Sequence, residues 1–364
     1  SLLPLFIRLE HAKSRKPMSL ELQCPVPQFD FDHINMGHGS GGILTHKLLK
    51  SGVFDVLKNP LLDQQHDGAV LELKGKIAIS TDSYVVSPIF FPGGNIGDLA
   101  INGTVNDLAM CGASARYLTL SFILEEGLAM TEFKDVLMAI RQAADQSGVQ
   151  IVTGDTKVVQ KGKGDKIFIN TTGVGELHPA ADIRHQRVEQ GDVILLSGPI
   201  AAHGVAIMSL REGLEFETTV CSDTQSLKAP VLALLEVLGQ DVHFLRDATR
   251  GGLASVLNEL SEIIAKGIHI YQKDIVIAEE VSGACEMLGL DPLYVANEGV
   301  FVAVVKADRA EEALQILQTH TACQSASKIG EIIADHPGKV VMKSKIGGSR
   351  VVNFLQGEQL PRIC

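Results

Sequence analysis

Apolar residues return every three or four positions between Thr131 and Gln146. Phe133, Val136, Leu137, Ile140 and Ala144 form one stripe, which predicts an amphipathic helix over that span. The same spacing predicts helices from Ile43 to Leu49, Gly97 to Met110, Ala201 to Glu212, Leu227 to Leu238 and Gly252 to Ala265. Short runs rich in β-branched and apolar residues predict strands at Ile77–Ser80, Tyr117–Leu124, Gln150–Thr153, Ile167–Thr171, Val193–Ser197 and Val300–Val305. Helices and strands are interleaved in both halves, so the expected class is α+β. The organisation expected is an N-terminal extension (1–31), two domains (32–180 and 181–335) and a flexible tail (336–364).

One helix breaks the simple pattern. Between Asp98 and Met110, Asp98, Asn102 and Asn106 stack at i, i+4 and i+8, directly beside the apolar Ile101, Val105 and Leu108. Polar groups so near a core face need partners. A solvated, capped helix face is one reading; a wall facing a polar ligand or Mg²⁺ is the other, with Asp107 at the helix end.

Composition narrows the function classes. In 364 residues, 32 Lys and Arg oppose 43 Asp and Glu, a formal charge of −11. That balance argues against a nucleic-acid scaffold or a membrane-surface protein, yet leaves phosphate chemistry open, because carboxylates recruit phosphate through Mg²⁺. The six cysteines are scattered without a C-x-x-C pair, which points to a reducing, cytoplasmic setting rather than a disulfide or zinc framework. The apolar opening Ser1–Ile7 is interrupted by Arg8, too early for a membrane span, and Met18 reads as an internal start.

The last residue is a cysteine. Cys364 closes the segment Leu360-Pro361-Arg362-Ile363-Cys364, and a thiol there is hard to explain as core packing. A prenylation signal needs its cysteine four residues from the end. From Gly347 the chain, if extended, reaches roughly 55–60 Å, enough to carry the thiol into a cleft. The alternative is an incidental surface thiol.

Further motifs carry oxygen ligands and glycine. Gly37-His38-Gly39-Ser40-Gly41-Gly42 precedes a predicted helix, as a phosphate-cradling loop would, although it matches neither a Walker A nor a dinucleotide loop and also reads as a plain flexible loop. Three acidic turns are expected at strand ends or helix starts: Thr81-Asp82-Ser83, Gly154-Asp155-Thr156-Lys157 and Asp247-Ala248-Thr249-Arg250-Gly251-Gly252. Carboxylates from several segments suit Mg²⁺ on a triphosphate, and Lys157 suits a γ-phosphate. Asn297-Glu298-Gly299, before an apolar strand, offers either a turn residue or a general base.

Taken with Phe90-Phe91-Pro92-Gly93-Gly94-Asn95 and the terminal Pro361-Arg362-Ile363-Cys364, these motifs closely resemble the HypE family, the carbamoyl dehydratases of nickel–iron hydrogenase maturation. The resemblance runs from about residue 36 to 364. It implies the two-domain α+β fold of the aminoimidazole ribonucleotide synthase superfamily, with 32–180 as the ATP-binding and dimerisation domain of a homodimer. It implies that the carbamoyltransferase HypF loads a carbamoyl group on Cys364. ATP then drives dehydration to an S-cyanate, and the cyano group passes to iron on the HypC–HypD complex. By the same resemblance, Asp82, Asp107, Asp155 and Asp247 hold Mg-ATP. Asn106, His38, Gly39, Gly41, Gly42 and Thr156 support the nucleotide, while Lys157 and Glu298 share phosphate stabilisation and proton removal in either order. Arg362 would steady the tail against carboxylates of the cleft rim. Two rival readings are a superfamily member acting on a free small molecule and a thiol carrier without enzymatic activity.

Overall fold

The computed structural model describes residues 31–65, 67–213, 220–355, 360 and 362–364. Residues 1–30 of the expected N-terminal extension, Met18 among them, and Pro361 therefore lie outside the described residues.

The first half is built on a four-stranded sheet. After helix α1 (Ile43–Leu48), a π turn (Leu49–Phe54) and the short α2 (Asp55–Leu57), the chain enters β1 (Ile77–Tyr84), then the small hairpin β2 (Phe90–Phe91) and β3 (Gly94–Asn95). Helix α3 (Ile96–Met110), β4 (Ala113–Glu125), helix α4 (Met130–Ser147), β5 (Gln150–Val159) and β6 (Ile167–Leu177) complete it. The strand order is β1-β6-β4-β5, with only β4 and β5 parallel. Helices α3 and α4 cover one face. The predicted stripe on α4 is buried throughout, and Ile101, Val105 and Leu108 of α3 are fully enclosed. Asn95 caps α3 by accepting from the Gly97 N–H, while Asp98 returns a carboxylate to the Asn95 N–H. The opposite face of the sheet stays open, with Ile77, Ile79 and Ile123 exposed.

The second half contains β7 (Val193–Leu196), α5 (Ala202–Arg211), α6 (Lys228–Leu238), β8 (Val242–Asp247), α7 (Gly252–Ile264) and β9 (Gly267–Tyr271). It continues with α8 (Glu279–Leu288), β10 (Phe301–Val305), α9 (Ala310–Gln318), β11 (Ser327–Ile333), β12 (Val340–Lys343) and β13 (Ser349–Val352). These strands form one sheet in the order β13-β12-β9-β11-β7-β10-β8. Strands β7 and β10 are buried on both faces, which is why they read as unbroken apolar runs.

Three expectations need correction. First, Thr81-Asp82-Ser83 and Gly154-Asp155-Thr156-Lys157 are not turns. They lie within β1 and β5, carried by β-branched neighbours that keep the chain extended. Second, structure does not end at Asp335. Strands β12 and β13 extend the sheet, with Val340, Met342 and Val352 buried in its core. Third, the end of the chain is seated rather than free. Ile363 is buried in the core of the first half, with Leu360 and Cys364 packed against it.

Candidate active site

The seat of the tail lies just past β1. The Val85 N–H donates to the terminal Cys364 oxygen at 3.1 Å and the Ser87 N–H to the Arg362 carbonyl at 3.4 Å. Arg362 donates back to the Val85 carbonyl from Nε and Nη2, at 3.2 and 3.0 Å, and pairs with Asp165. The expectation that Arg362 steadies the tail thus has a definite partner, with the Phe168 ring beneath its guanidinium. From the second half, Arg211 donates to the Ser87 and Arg362 carbonyls, and His203 Nε2 lies 2.8 Å from the Ile363 carbonyl.

This strand-like docking leaves the Cys364 thiol half-buried against Arg250, whose Nη2 approaches Sγ at 3.8 Å. Burial pushes the thiol up to about 11, and the nearby Glu298 adds to that, while Arg250 opposes it. Glu298 is buried, and its carboxyl is raised well above the ordinary range by burial first and then by the charges of Asp223, Asp247, Asp82 and Asp107. Asp223 accepts from the Glu298 backbone N–H at 3.0 Å, and burial raises its own carboxyl to about 6. Asp247, at the end of β8, is raised to about 7 by burial and by Asp107. Asp107 accepts from Ser80 Oγ at 2.6 Å and is itself raised by burial. Asp82 is half-buried beside Ser83, whose N–H it accepts at 2.7 Å.

Carboxylates that raise one another in this way crowd negative charge around one place, and hard oxygen donors of this kind fit Mg²⁺ on a polyphosphate. Among the described residues, no group of three or more His, Cys, Asp or Glu side chains is placed to hold a metal ion by itself. An ion there would keep phosphate and water oxygens in its shell, as Mg²⁺ commonly does.

The remaining candidates form a separate group. The register places Asp82 opposite Thr171, Thr171 opposite Leu120, and Leu120 opposite Gly154. Asp155 therefore stands three strand spacings from Asp82, about 14 Å at ~4.8 Å each. Asp155 and Lys157 are exposed on the uncovered face and pair at 2.5 Å, while Thr156 between them is buried. Gly39, Gly41, Thr156 and Lys157 line a cavity of about 230 Å³ with the apolar Leu49, Phe54 and Phe122. A side chain at Gly39 would collide with the Val158 backbone at 2.7 Å, so glycine there lets the loop lie against β5. Gly42 caps the start of α1.

Two expected ligands have other occupations. His38 is fully buried and turned inward, its Nδ1 accepting from the Asn35 N–H at 2.9 Å to close a helical turn. Asn106 donates to the Gln225 and Glu298 carbonyls at 2.9 and 3.1 Å and accepts from the Leu227 N–H at 2.7 Å. These bonds clamp the two halves together and orient the Glu298 peptide. The polar row on α3 is likewise a seam, with Asn102 at 3.4 Å from Thr224 Oγ1.

Arg250, Asp223 and His203 carry no assigned role in the sequence reading. Arg250 sat inside a quoted motif, where the suitability of guanidinium for oxyanions was the available signal. His203 had none.

Comparison with known proteins agrees with this architecture. The model of the family "AIR synthase related protein, N-terminal domain" matches residues 65–177, and that of its C-terminal domain matches 189–343. Carbamoyl dehydratase HypE of Azotobacter vinelandii is 48% identical over 332 residues, covering 91% of this chain and 97% of that protein. A crystal structure of the hydrogenase maturation protein HypE in complex with ATP superposes with a TM-score of 0.87 at 46% identity, covering 90% of this chain and 99% of that one. The chain in a HypE–HypF complex superposes at 0.75 with 42% identity, over 86% of this chain and all of that one. Nearly half identical to such a protein along nine-tenths of its length, the chain belongs to the HypE family of carbamoyl dehydratases.

Proposed function

We propose that this protein dehydrates an S-carbamoyl group on its own Cys364 to an S-cyanate, using ATP. The observation that carries this reading is the seated tail: the chain's last thiol lies against Arg250 and feels the charges of the buried Glu298 and of Asp82, acids that in turn act on Asp107 and Asp247.

The chemistry follows from the leaving group. A thiocarbamate, R–S–C(=O)–NH₂, cannot readily expel its oxygen as hydroxide. Attack of that oxygen on the γ-phosphorus of ATP releases ADP and leaves the oxygen on a phosphate. Loss of the two N–H protons with cleavage of the C–O bond then yields R–S–C≡N and inorganic phosphate. Glu298 is the proton acceptor in this reading. Burial and the surrounding acids raise its carboxyl, so that in its ionised form it is a stronger base than an ordinary carboxylate. Arg250, against the thiol, would offer a fork of donors to the carbamoyl oxygen and the charge developing on it. Asp82, Asp107 and Asp247 would hold Mg²⁺, which when bound neutralises the triphosphate and orients its γ-phosphate.

Gly39, Gly41, Gly42, Asp155, Thr156 and Lys157 form the second wall of the nucleotide site in this reading. Their distance from Asp82 across the sheet supports a homodimer in which the open sheet faces meet and one protomer's Lys157 edge serves its partner. HypF is the proposed carbamoyl donor enzyme and the HypC–HypD complex the proposed acceptor.

Intact-mass spectrometry tests the reaction. The carbamoylated protein should lose one water, about 18 Da, when Mg-ATP is added. The Cys364→Ala protein should show neither the carbamoyl group nor coupled ATP use. ATP consumed by that variant in proportion to carbamoyl donor would overturn the proposal.

A further inference from the structure

The tail must leave its seat to be loaded and return for dehydration, so something in the fold has to recognise the returned state. Most contacts that hold it are backbone bonds beside Val85 or pairs at the rim, where Arg362 meets Asp165. One is different. His203, on α5 of the second half, is 0% exposed, with both ring nitrogens engaged. Nδ1 lies 2.8 Å from Ser222 Oγ and Nε2 lies 2.8 Å from the Ile363 carbonyl. A carbonyl can only accept, so Nε2 carries the proton and Nδ1 accepts from the Ser222 hydroxyl. The Phe91 ring stands edge-on to the imidazole at 5.6 Å and fixes its plane. The Thr224 N–H donates to Ser222 Oγ at 3.1 Å, which orients the hydroxyl in turn.

We infer that His203 is the positioning residue that latches the C-terminal tail, reading the peptide next to Cys364 and so setting the thiol against Arg250 and Glu298. The inference rests on the proposed function for its purpose, but its geometry is independent of that chemistry. Ile363 supplies the other half of the latch, its side chain 3% exposed in the core of the first half. A tail that leaves takes away the acceptor of the His203 Nε2–H, and its return restores that bond. Since His203 and the Val85 segment belong to different halves, the latched tail also ties the two domains together.

Alkylation by iodoacetamide, followed residue by residue through peptide masses, tests the latch without reference to carbamoyl transfer. The exposed Cys111 serves as the internal standard. The His203→Met protein should alkylate Cys364 roughly tenfold faster than the parent, the scale of one lost buried hydrogen bond, with Cys111 unchanged. In the His203→Gln protein the amide donor substitutes for Nε2 and should bring the rate back to within about twofold of the parent. Equal Cys364 rates in parent and Met variant, or equal rates in Met and Gln variants, overturn the latch. Should the Met variant loosen the fold and quicken Cys111 as well, the parent decides. In ¹⁵N-histidine-labelled protein, His203 should be the Nε2–H tautomer, and removal of residues 363 and 364 should change its signal. An Nδ1–H tautomer, or a signal indifferent to truncation, overturns the inference. If the latch passes while Mg-ATP removes no water from the carbamoylated parent, it is the proposed function that falls.

Discussion

A single buried histidine sets a measurable pH dependence. Burial holds His203 neutral, lowering it to about 4, with the charge of Arg211 working in the same direction and the bond to Ile363 against it. The unfolded chain has an ordinary histidine near 6.5, so between these values the unfolded state binds more protons and stability rises with pH. The contribution is complete above pH ~6.5 and is lost as pH falls toward ~4, about 2 kcal/mol between pH 7 and pH 5. The buried acids act oppositely: Asp98 and Asp223, each raised to about 6, cost stability as pH rises through their range and relax when protonated. Thermal melts of the parent and His203→Gln proteins isolate the histidine. The parent should lose about 2 kcal/mol more than the variant on moving from pH 7 to pH 5, and parallel losses would refute the assignment.

Among the elements, α3 governs the site most directly. It supplies Asp107 at one end, Asn106 as the interdomain clamp, and the Thr104 hydroxyl that meets Tyr84 Oη at 3.3 Å. Its place depends on close approach to α4. A Cβ at Gly97 would lie 2.5 Å from the Val136 carbonyl and 3.0 Å from Ile140 Cγ1. In an isolated helix Gly→Ala stabilises by up to about 1 kcal/mol. Here backbone blocks the added methyl, so the sign should reverse. Gly97→Ala should lower stability by about 1–3 kcal/mol in urea denaturation, and a gain would show that the helices separate freely.

For the whole molecule, the open sheet face matters most. Ile79 is 69% exposed and Ile77 55%, on a face that also carries Asp155 and Lys157. The proposed homodimer buries this face. Ile79→Glu should then shift the protein to monomer in sedimentation equilibrium and reduce ATP-dependent dehydration by at least tenfold, the penalty of placing a charge in an apolar contact. A monomeric parent, or a dimer indifferent to Ile79, would reject the arrangement.

Periodicity in the chain was enough to reveal α3, α4, α5, α6 and α7 to within about a residue, because apolar residues at helical spacing mark a helix whatever it packs against; α3 itself is buried on nearly every side. It also exposed the terminal thiol and the acidic motifs, since their chemistry belongs to residue type. Strands β12 and β13 escaped notice because strands of four residues have little pattern of their own; β12 is fixed by pairing with β9, and the edge strand β13 by pairing with β12. Which acids share a pocket was decided by register: Asp82 and Asp155 belong to similar motifs yet stand at opposite edges and on opposite faces of one sheet. The seat of Cys364 and the pairing of His203 with the Ile363 carbonyl join residues far apart in the chain. Such contacts exist only once the hydrophobic cores of both halves have set the strands and helices around them, and no local preference along the chain encodes them.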